Sequence, residues 1–471
     1  MRVGRVTIDA HPVFSEGGGA FYRAVNRLHA QTRASFIRKF LLFHEGDRFD
    51  PVLLAESERN LRQLDSLESV LVTAGTPHDG VVDITVVTTD AWTTDLTGDF
   101  SNEGGRSVFS AALSQKNLFG GAESLELAID RDVYRTARGI EYRDPAAFGP
   151  YSNLDAYVAD NSDGAEQRLS ITRPQFSYTT PWTGSIALDH LRRIERIYED
   201  GRILSAFEQR HRAVTVAGAL AIRNEVHRTD RLVAGIDWTD DEFSSGALLP
   251  DSRHLHFIDA GFESAGFSPL SLDYIDDSRV QDFNLGHAVA FHAAVSSKTW
   301  RGRVVLGDGA RLGETAFVTG QLTGSARGDG NEVVSADVRA VAKLAARHPQ
   351  AIVARLRADA GWKLDRDVQF FADGRNGLRA YPDFAFEGSR RLLLNAEYRL
   401  YLGRDLLQIF SPGVAAFADA GFAGAARVKS DFGIGVRIGI PHYDGAIIRM
   451  DYAYAPQRRR GVLSIATTHA F

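Results

Sequence analysis

Hydrophobic positions recur along this chain with two different periods, and the change falls near residue 92. Before it, Val3–Phe14 alternates as a strand does. Thr32–Phe43 then places Phe36, Phe40 and Phe43 at helical spacing. Asp50 is suited to cap a second helix with Pro51 at its first position. That helix, Pro51–Leu64, puts Leu53, Leu54, Leu61 and Leu64 on or near one side. Ser69–Ala74 and Val81–Thr88 read as two more strands, joined by a Gly/Pro/Asp turn. Strand, helix, helix, strand, strand within residues 1–92 predicts one small α+β domain.

From about Thr93 the period is two. Leu392, Leu394, Ala396, Tyr398 and Leu400 share one face, and Asn395, Glu397 and Arg399 the other. Ile352, Ala354, Leu356 and Ala358 oppose Arg355, Arg357 and Asp359. Phe432, Ile434, Val436, Ile438 and Ile440 oppose Gly433, Gly435, Arg437 and Gly439. Ile448, Met450, Tyr452 and Tyr454 oppose Arg449 and Asp451. Such segments begin near residues 93, 106, 123, 138, 151, 165, 183, 212, 231, 254, 283, 315, 331, 350, 392, 414, 431, 447 and 461. Closed bacterial barrels use an even number of strands, and Arg301–Gly313 is the candidate for one missed. A soluble sandwich would show the same alternation. The run of strands is too long for one sandwich, however, and aromatics sit near strand ends, as in Tyr398 and Tyr401. The prediction for residues 93–471 is a mainly β fold, a transmembrane antiparallel β-barrel. A sheet in lipid must close so that every backbone group finds a partner.

Composition narrows the rest. No 18-residue apolar run exists, so no transmembrane helix is expected. Among 471 residues there is no cysteine, which suits an oxidising compartment. The net charge of −6 is spread without a basic block, which leaves no electrostatic footprint for nucleic acid. Mean hydropathy is −0.19, consistent with strands that show lipid only at every second residue. No leader is evident at Met1-Arg2-Val3-Gly4-Arg5, so export would require one removed beforehand.

Motifs for chemistry are scarce. There is no G-x-S-x-G elbow, P-loop or G-x-G-x-x-G, so no catalytic residue and no cofactor is assigned, and the expectation is that this is not an enzyme. Gly433, Gly435 and Gly439 relieve crowding on a lumenal face. His254 and His256 point the same way from one strand, but no third ligand completes a metal site. Asp240-Asp241-Glu242 and Asp276-Asp277 lack Ca²⁺-loop spacing and read as solvated acidic loops.

These features together resemble the BamA/TamA family of outer-membrane assembly proteins. The Gly46-Asp47 turn and the segment Leu53–Leu64 (LLAESERNLRQL) resemble a single POTRA module. Gln115–Leu127 (QKNLFGGAESLEL) resembles the early barrel hairpin of the family. Gly377-Leu378-Arg379-Ala380-Tyr381-Pro382 is similar to the family's VRGY-type motif on a loop that folds into the lumen, with Ala380 where Gly is usual. Phe417-Ala418-Asp419-Ala420-Gly421 resembles its aromatic-x-Asp-x-Gly motif, and Glu397 falls where the family carries a lumenal carboxylate. The final strand, with Leu463, Ile465, Thr467, His469 and Phe471 on one face, resembles the family's C-terminal recognition signal. The resemblance implies a barrel of about 16 strands or more in the outer membrane and a periplasmic N-terminal domain. It also implies insertion of Arg379 between Glu397 and Asp419. The implied partners are outer-membrane lipid and unfolded outer-membrane or secreted client proteins. Arg458-Arg459-Arg460 reads first as a solvated turn, with lipopolysaccharide phosphates as the alternative contact. A passive channel or solute transporter is the second reading, since Arg355, Arg357, Arg399, Arg437 and Arg449 suit any wet lumen.

Overall fold

The computed structural model describes residues 1–13, 30–103, 105–276, 280–402, 410–440 and 446–467. Its first elements are β1 (Arg2–His11), α1 (Ala34–Lys39), α2 (Pro51–Arg62), β2 (Leu67–Ala74) and β3 (Val81–Asp90). β3 takes the middle of the sheet, parallel to β1 and antiparallel to β2. It is the strand with the most deeply buried side chains (Val82, Ile84 and Val86 are at most 1% exposed), which suits the one position paired along both edges. α2 starts where Asp50 accepts from the Val52 N–H at 2.9 Å and Pro51 supplies a helical φ. α1 is only six residues, shorter than the aromatic spacing predicts. Arg33 offers no capping side chain, and Phe40 already ends the helix. Phe40 and Phe43 are buried all the same, so the spacing marked the core-facing side and not the helix length. At Gly46 φ is +92°, and the neighbouring Asp47 carboxylate accepts from the His44 N–H at 2.7 Å. This turn bonds back to Val3 and so ties the helical segment to β1.

The barrel strands begin with β4 (Thr94–Glu103), β5 (Arg106–Gln115), β6 (Ser124–Arg131), β7 (Thr136–Asp144), β8 (Asn153–Asn161) and β9 (Gly164–Arg173). β10 (Trp182–Glu199), β11 (Arg202–Glu225), β12 (Arg228–Ser244) and β13 (Arg253–Gly266) are the long ones. A separate two-stranded hairpin, β14 (Pro269–Asp273) with β15 (Val280–Asn284), interrupts the series. β16 (Ala288–Val295), β17 (Trp300–Arg311), β18 (Ala316–Arg327), β19 (Gly330–Leu344) and β20 (Gln350–Trp362) continue it. A second short pair, β21 (Phe370–Phe371) with β22 (Glu387–Gly388), lies in the next connection. β23 (Arg390–Tyr401), β24 (Ser411–Ala423), β25 (Lys429–Ile440), β26 (Ala446–Ala455) and β27 (Arg460–Ala466) complete it.

Twenty of these strands close into one barrel, with β27 pairing β4. Twenty lies above the 16 that the resemblance implies as a minimum and equals the nineteen segments read along the chain plus one. The strand outside those nineteen is β17, within the candidate stretch Arg301–Gly313; its alternation is weak because Gly307 and Gly309 carry no side chain to mark a face. The segment expected near residue 283 is β15, outside the barrel, and β16 takes its place. The alternation separates two environments. Ile434 (68% exposed), Leu394, Phe432, Val436 and Leu463 face outward, whereas Glu397, Arg399, Arg437, Arg449 and Asp451 are buried inside. An apolar exterior over a polar interior is the pattern of a membrane-spanning barrel.

The chain divides into two compact units: residues 1–98 with 111–130 and 137–190, and residues 99–110 with 131–136 and 191–471. Within the first, α2 is held by the connections that follow β7 and β9. The Tyr151 hydroxyl donates to the Phe40 carbonyl at 2.5 Å, its ring stacks on Phe176 at 4.0 Å, and Ser177 Oγ donates to Glu56 at 2.5 Å. Burial pushes the Tyr151 phenol up to about 12, against the Asn60 hydrogen bond and with the help of Glu56.

Two outcomes follow from these packing arrangements. Ile434→Arg, on the outer face, is expected to destabilise the folded barrel by about 2–4 kcal/mol if it lies near the bilayer midplane, read from denaturant midpoints in lipid. A buried phenol with a raised pKa stabilises the fold below its unfolded value near 10, and that stabilisation is lost as pH rises toward 12. Alkaline titration should therefore loosen the first unit over pH 10–12, and Tyr151→Phe should flatten that step; an unchanged step would contradict the assignment.

Candidate functional site: a loop anchored in the lumen

Residues 363–389 connect β20 to β23 and fold inward, so that Leu378 and Ala380 are fully buried and Arg379 and Tyr381 are 2% exposed. The loop carries its own bracing. The Asp373 carboxylate accepts from the backbone N–H groups of Asn376 at 2.9 Å and Phe384 at 2.8 Å, which pins both limbs. Gly377 sits at φ +113°, and a Cβ there would lie 2.8 Å from the Asn395 amide, so glycine is required on both counts. Ala380 has no positive φ, which is why an alanine is tolerated at that place in the motif. Leu378 packs with Ala372, Leu393, Phe417, Ala423, Ala453 and Ala455.

Arg379 is the centre of the site. Its Nη1 lies 3.1 Å from Glu397 Oε2 and 3.0 Å from Asp451 Oδ2, and its Nε is 3.0 Å from Asp419 Oδ2. The guanidinium plane covers the Phe417 ring at 3.6 Å, which gives the aromatic of the strand motif a physical task. β23 supplies Asn395 and Glu397, β24 supplies Phe417 and Asp419, and β26 supplies Asp451; inward alternation on each strand delivers them to one point. Asn395 Nδ2 donates to both the Gly377 carbonyl at 2.6 Å and Asp419 at 2.7 Å, linking loop backbone to anchor. Gly421 opposes Leu393, where a Cβ would meet the Leu392 carbonyl at 2.5 Å.

Arg379, Arg399, Arg437 and Arg449 gather around Glu397, Asp419 and Asp451, with Asp431 nearby, and all eight side chains are at most 2% exposed. Arg437 bridges Glu397 at 3.0 Å and Asp451 at 2.5 Å, and Arg449 adds a 2.8 Å contact to Asp451. Asp431 accepts the Ala380 N–H at 3.2 Å. Charges at this depth persist only when paired and hydrogen-bonded.

Other sequence expectations fall differently. Asp451 and Asn395 were legible only as lumen-facing positions, and Asp431 was not singled out; strand pairing decides which of them meet the loop. Arg458 is not a free turn residue: it donates to the Ala380 carbonyl at 2.8 Å and lies 5.7 Å from the Tyr381 ring. Arg459 and Arg460 are exposed. Pro382 is exposed beside buried Tyr381, whose hydroxyl donates to Gln457 at 2.9 Å. Asp276 is not a solvated acid, since it reaches Arg399 at 2.7 Å, and Asp277 lies outside the described residues. The His254 and His256 rings both approach Asp240, at 2.7 and 3.3 Å, and no metal-holding group occurs among the described residues. Phe471 also lies outside them.

No family model and no curated protein matches this chain. Solved structures do align over it. BamA from Haemophilus ducreyi lacking POTRA domains 1–3 covers 99% of this chain and 85% of its own, at 14% identity and TM-score 0.46. CdiB from Acinetobacter baumannii covers 99% and 74%, at 13% identity and TM-score 0.47. CdiB from Escherichia coli covers 99% and 76%, at 10% identity and TM-score 0.48. Identities and scores this low assign no family.

Removing Arg379 leaves three carboxylates facing one another in a dry site. Arg379→Ala is expected to cost about 3–5 kcal/mol, the range for breaking a buried pair, read as earlier loss of heat-resistant gel mobility. Asp419→Ala should give a similar defect. The double variant should cost less than the sum, because the two residues share one interaction; strict additivity would show that they are not coupled.

Proposed function

We propose that this chain is an outer-membrane protein that inserts, folds or translocates client proteins, with residues 1–92 acting as a POTRA-like periplasmic domain. The observation that carries this reading is the inserted loop: a lumen occupied by a segment locked at Arg379 is a poor solute pore. The VRGY-like motif that the loop carries supports the same conclusion. One further feature agrees with it. β2 lies at the edge of its sheet with Leu71 55% exposed, a surface suited to pairing with an extended client strand. The reading needs no covalent chemistry, since a client's own folding into lipid supplies the free energy. Arg459 and Arg460 are the residues left to meet lipopolysaccharide phosphates.

A channel is the second reading, favoured by one observation. A cavity of about 640 Å³ beside β12, β13 and β17 is lined by Asp237, Asp259, Glu263, His292, Arg301 and Arg303. Its charges suit a polar solute.

Proteoliposomes containing the protein should accelerate insertion of an unfolded outer-membrane barrel over lipid alone, and deleting residues 1–92 should remove most of that gain. The same vesicles in a planar bilayer should show little steady conductance. No acceleration, together with a stable open conductance that survives the deletion, would favour the channel.

A further inference from the structure

The barrel contains a second inserted segment. Residues 267–287 join β13 to β16, and their hairpin, β14 with β15, hydrogen-bonds to itself and not to the barrel wall's ladder. Its buried side chains Leu270, Leu272, Ile275 and Leu285 cover Phe317, Val341, Ala351 and Val353, an apolar patch on inward positions of β18, β19 and β20. A wet lumen would not tolerate that patch uncovered.

The hairpin and the loop enter from opposite ends. The loop connects the finish of β20 to the start of β23, and the hairpin packs against the start of β20 (Ala351, Val353) and the finish of β23 (Tyr401). They meet at Glu397 and Arg399, in the second half of β23. Arg399 is fully buried, and its Nη1 donates to the Ile275 carbonyl at 2.9 Å and to Asp276 at 2.7 Å. Its Nε is 3.0 Å from Glu397 Oε1, while the other oxygen of Glu397 is 3.1 Å from Arg379. Arg339 adds a 2.9 Å contact to Asp276, and Tyr401 donates to the Ile275 carbonyl at 2.9 Å.

We propose that the hairpin is a second stopper, interlocked with the loop through Asp276–Arg399–Glu397–Arg379, so that release of either one weakens the hold on the other. The sign follows from charge. Withdrawing Asp276 removes a negative charge from beside Arg399, so the potential felt by Arg379 becomes more positive and its hold weakens. Withdrawing Arg379 removes a positive charge from beside Glu397, and the hold on Asp276 weakens in the same way. Coupling between sites is reciprocal by linkage. The interlock is a property of the lumen and is independent of what the barrel moves.

Because the chain has no cysteine, a single reporter can be introduced. Ala372→Cys places a thiol in the loop at a fully buried position. Its labelling by a water-soluble maleimide should be slow, and Asp276→Asn should speed it at least about fivefold, the lower end of ordinary coupling. The reciprocal arm uses Leu272→Cys in the hairpin with Arg379→Ala, and the same direction is expected. Compact gel mobility of unheated samples establishes that each variant is folded before labelling. If Asp276→Asn does not fold, the reciprocal arm decides alone, with Arg379→Lys as its milder form. Unchanged labelling in a folded variant of either arm overturns the interlock.

Discussion

A barrel of twenty strands is too wide for its own side chains to fill, and the structure answers that constraint with a buried guanidinium. Arg379 sits among Glu397, Asp419 and Asp451 with Phe417 beneath it. Without those carboxylates the charge would not remain in so dry a place, and without the charge the loop would have little to hold it there. The loop's internal bracing at Asp373 and its glycine at Gly377 serve the same end, since they present Arg379 already shaped for the site.

The lumen is therefore divided by chemistry. Around the loop it is ionic, four arginines against four acids. Around the hairpin it is largely apolar, with Phe317, Val341, Ala351 and Val353 covered by Leu270, Leu272 and Ile275. Arg399 stands at the boundary and touches both. A third region, lined by Asp237, Asp259, Glu263 and His292, remains an open cavity. Interfaces of this kind have discrete arrangements and do not deform gradually.

Much of this was legible in the residues. A period of two follows from strand geometry, and lipid outside with charge inside leaves alternation no freedom to slip. The α+β character of the first domain was equally readable from Asp50, Pro51 and the helical spacing beyond. The barrel's extent and the inward faces of β20, β23, β25 and β26 came from local pattern, and Arg379, Glu397 and Asp419 were singled out by their resemblance to a known family's motifs. The strand number was legible only by inference, as nineteen segments and a candidate in Arg301–Gly313, because Gly307 and Gly309 blur the alternation of β17 and β15 imitates a barrel strand in sequence.

What only the tertiary structure decided is which inward charges meet. Alternation states that Asp451 and Arg399 face the lumen, but their partners lie on strands and loops tens or hundreds of residues away, as Asp276 does from Arg399. Sequence carries the face of a residue because that depends on its neighbours in the chain. It does not carry the partner of a buried charge, because that depends on register, closure and the path of inserted segments. For the same reason Asp276 and Arg458 read as solvated turn residues in the sequence and act as clamps in the fold.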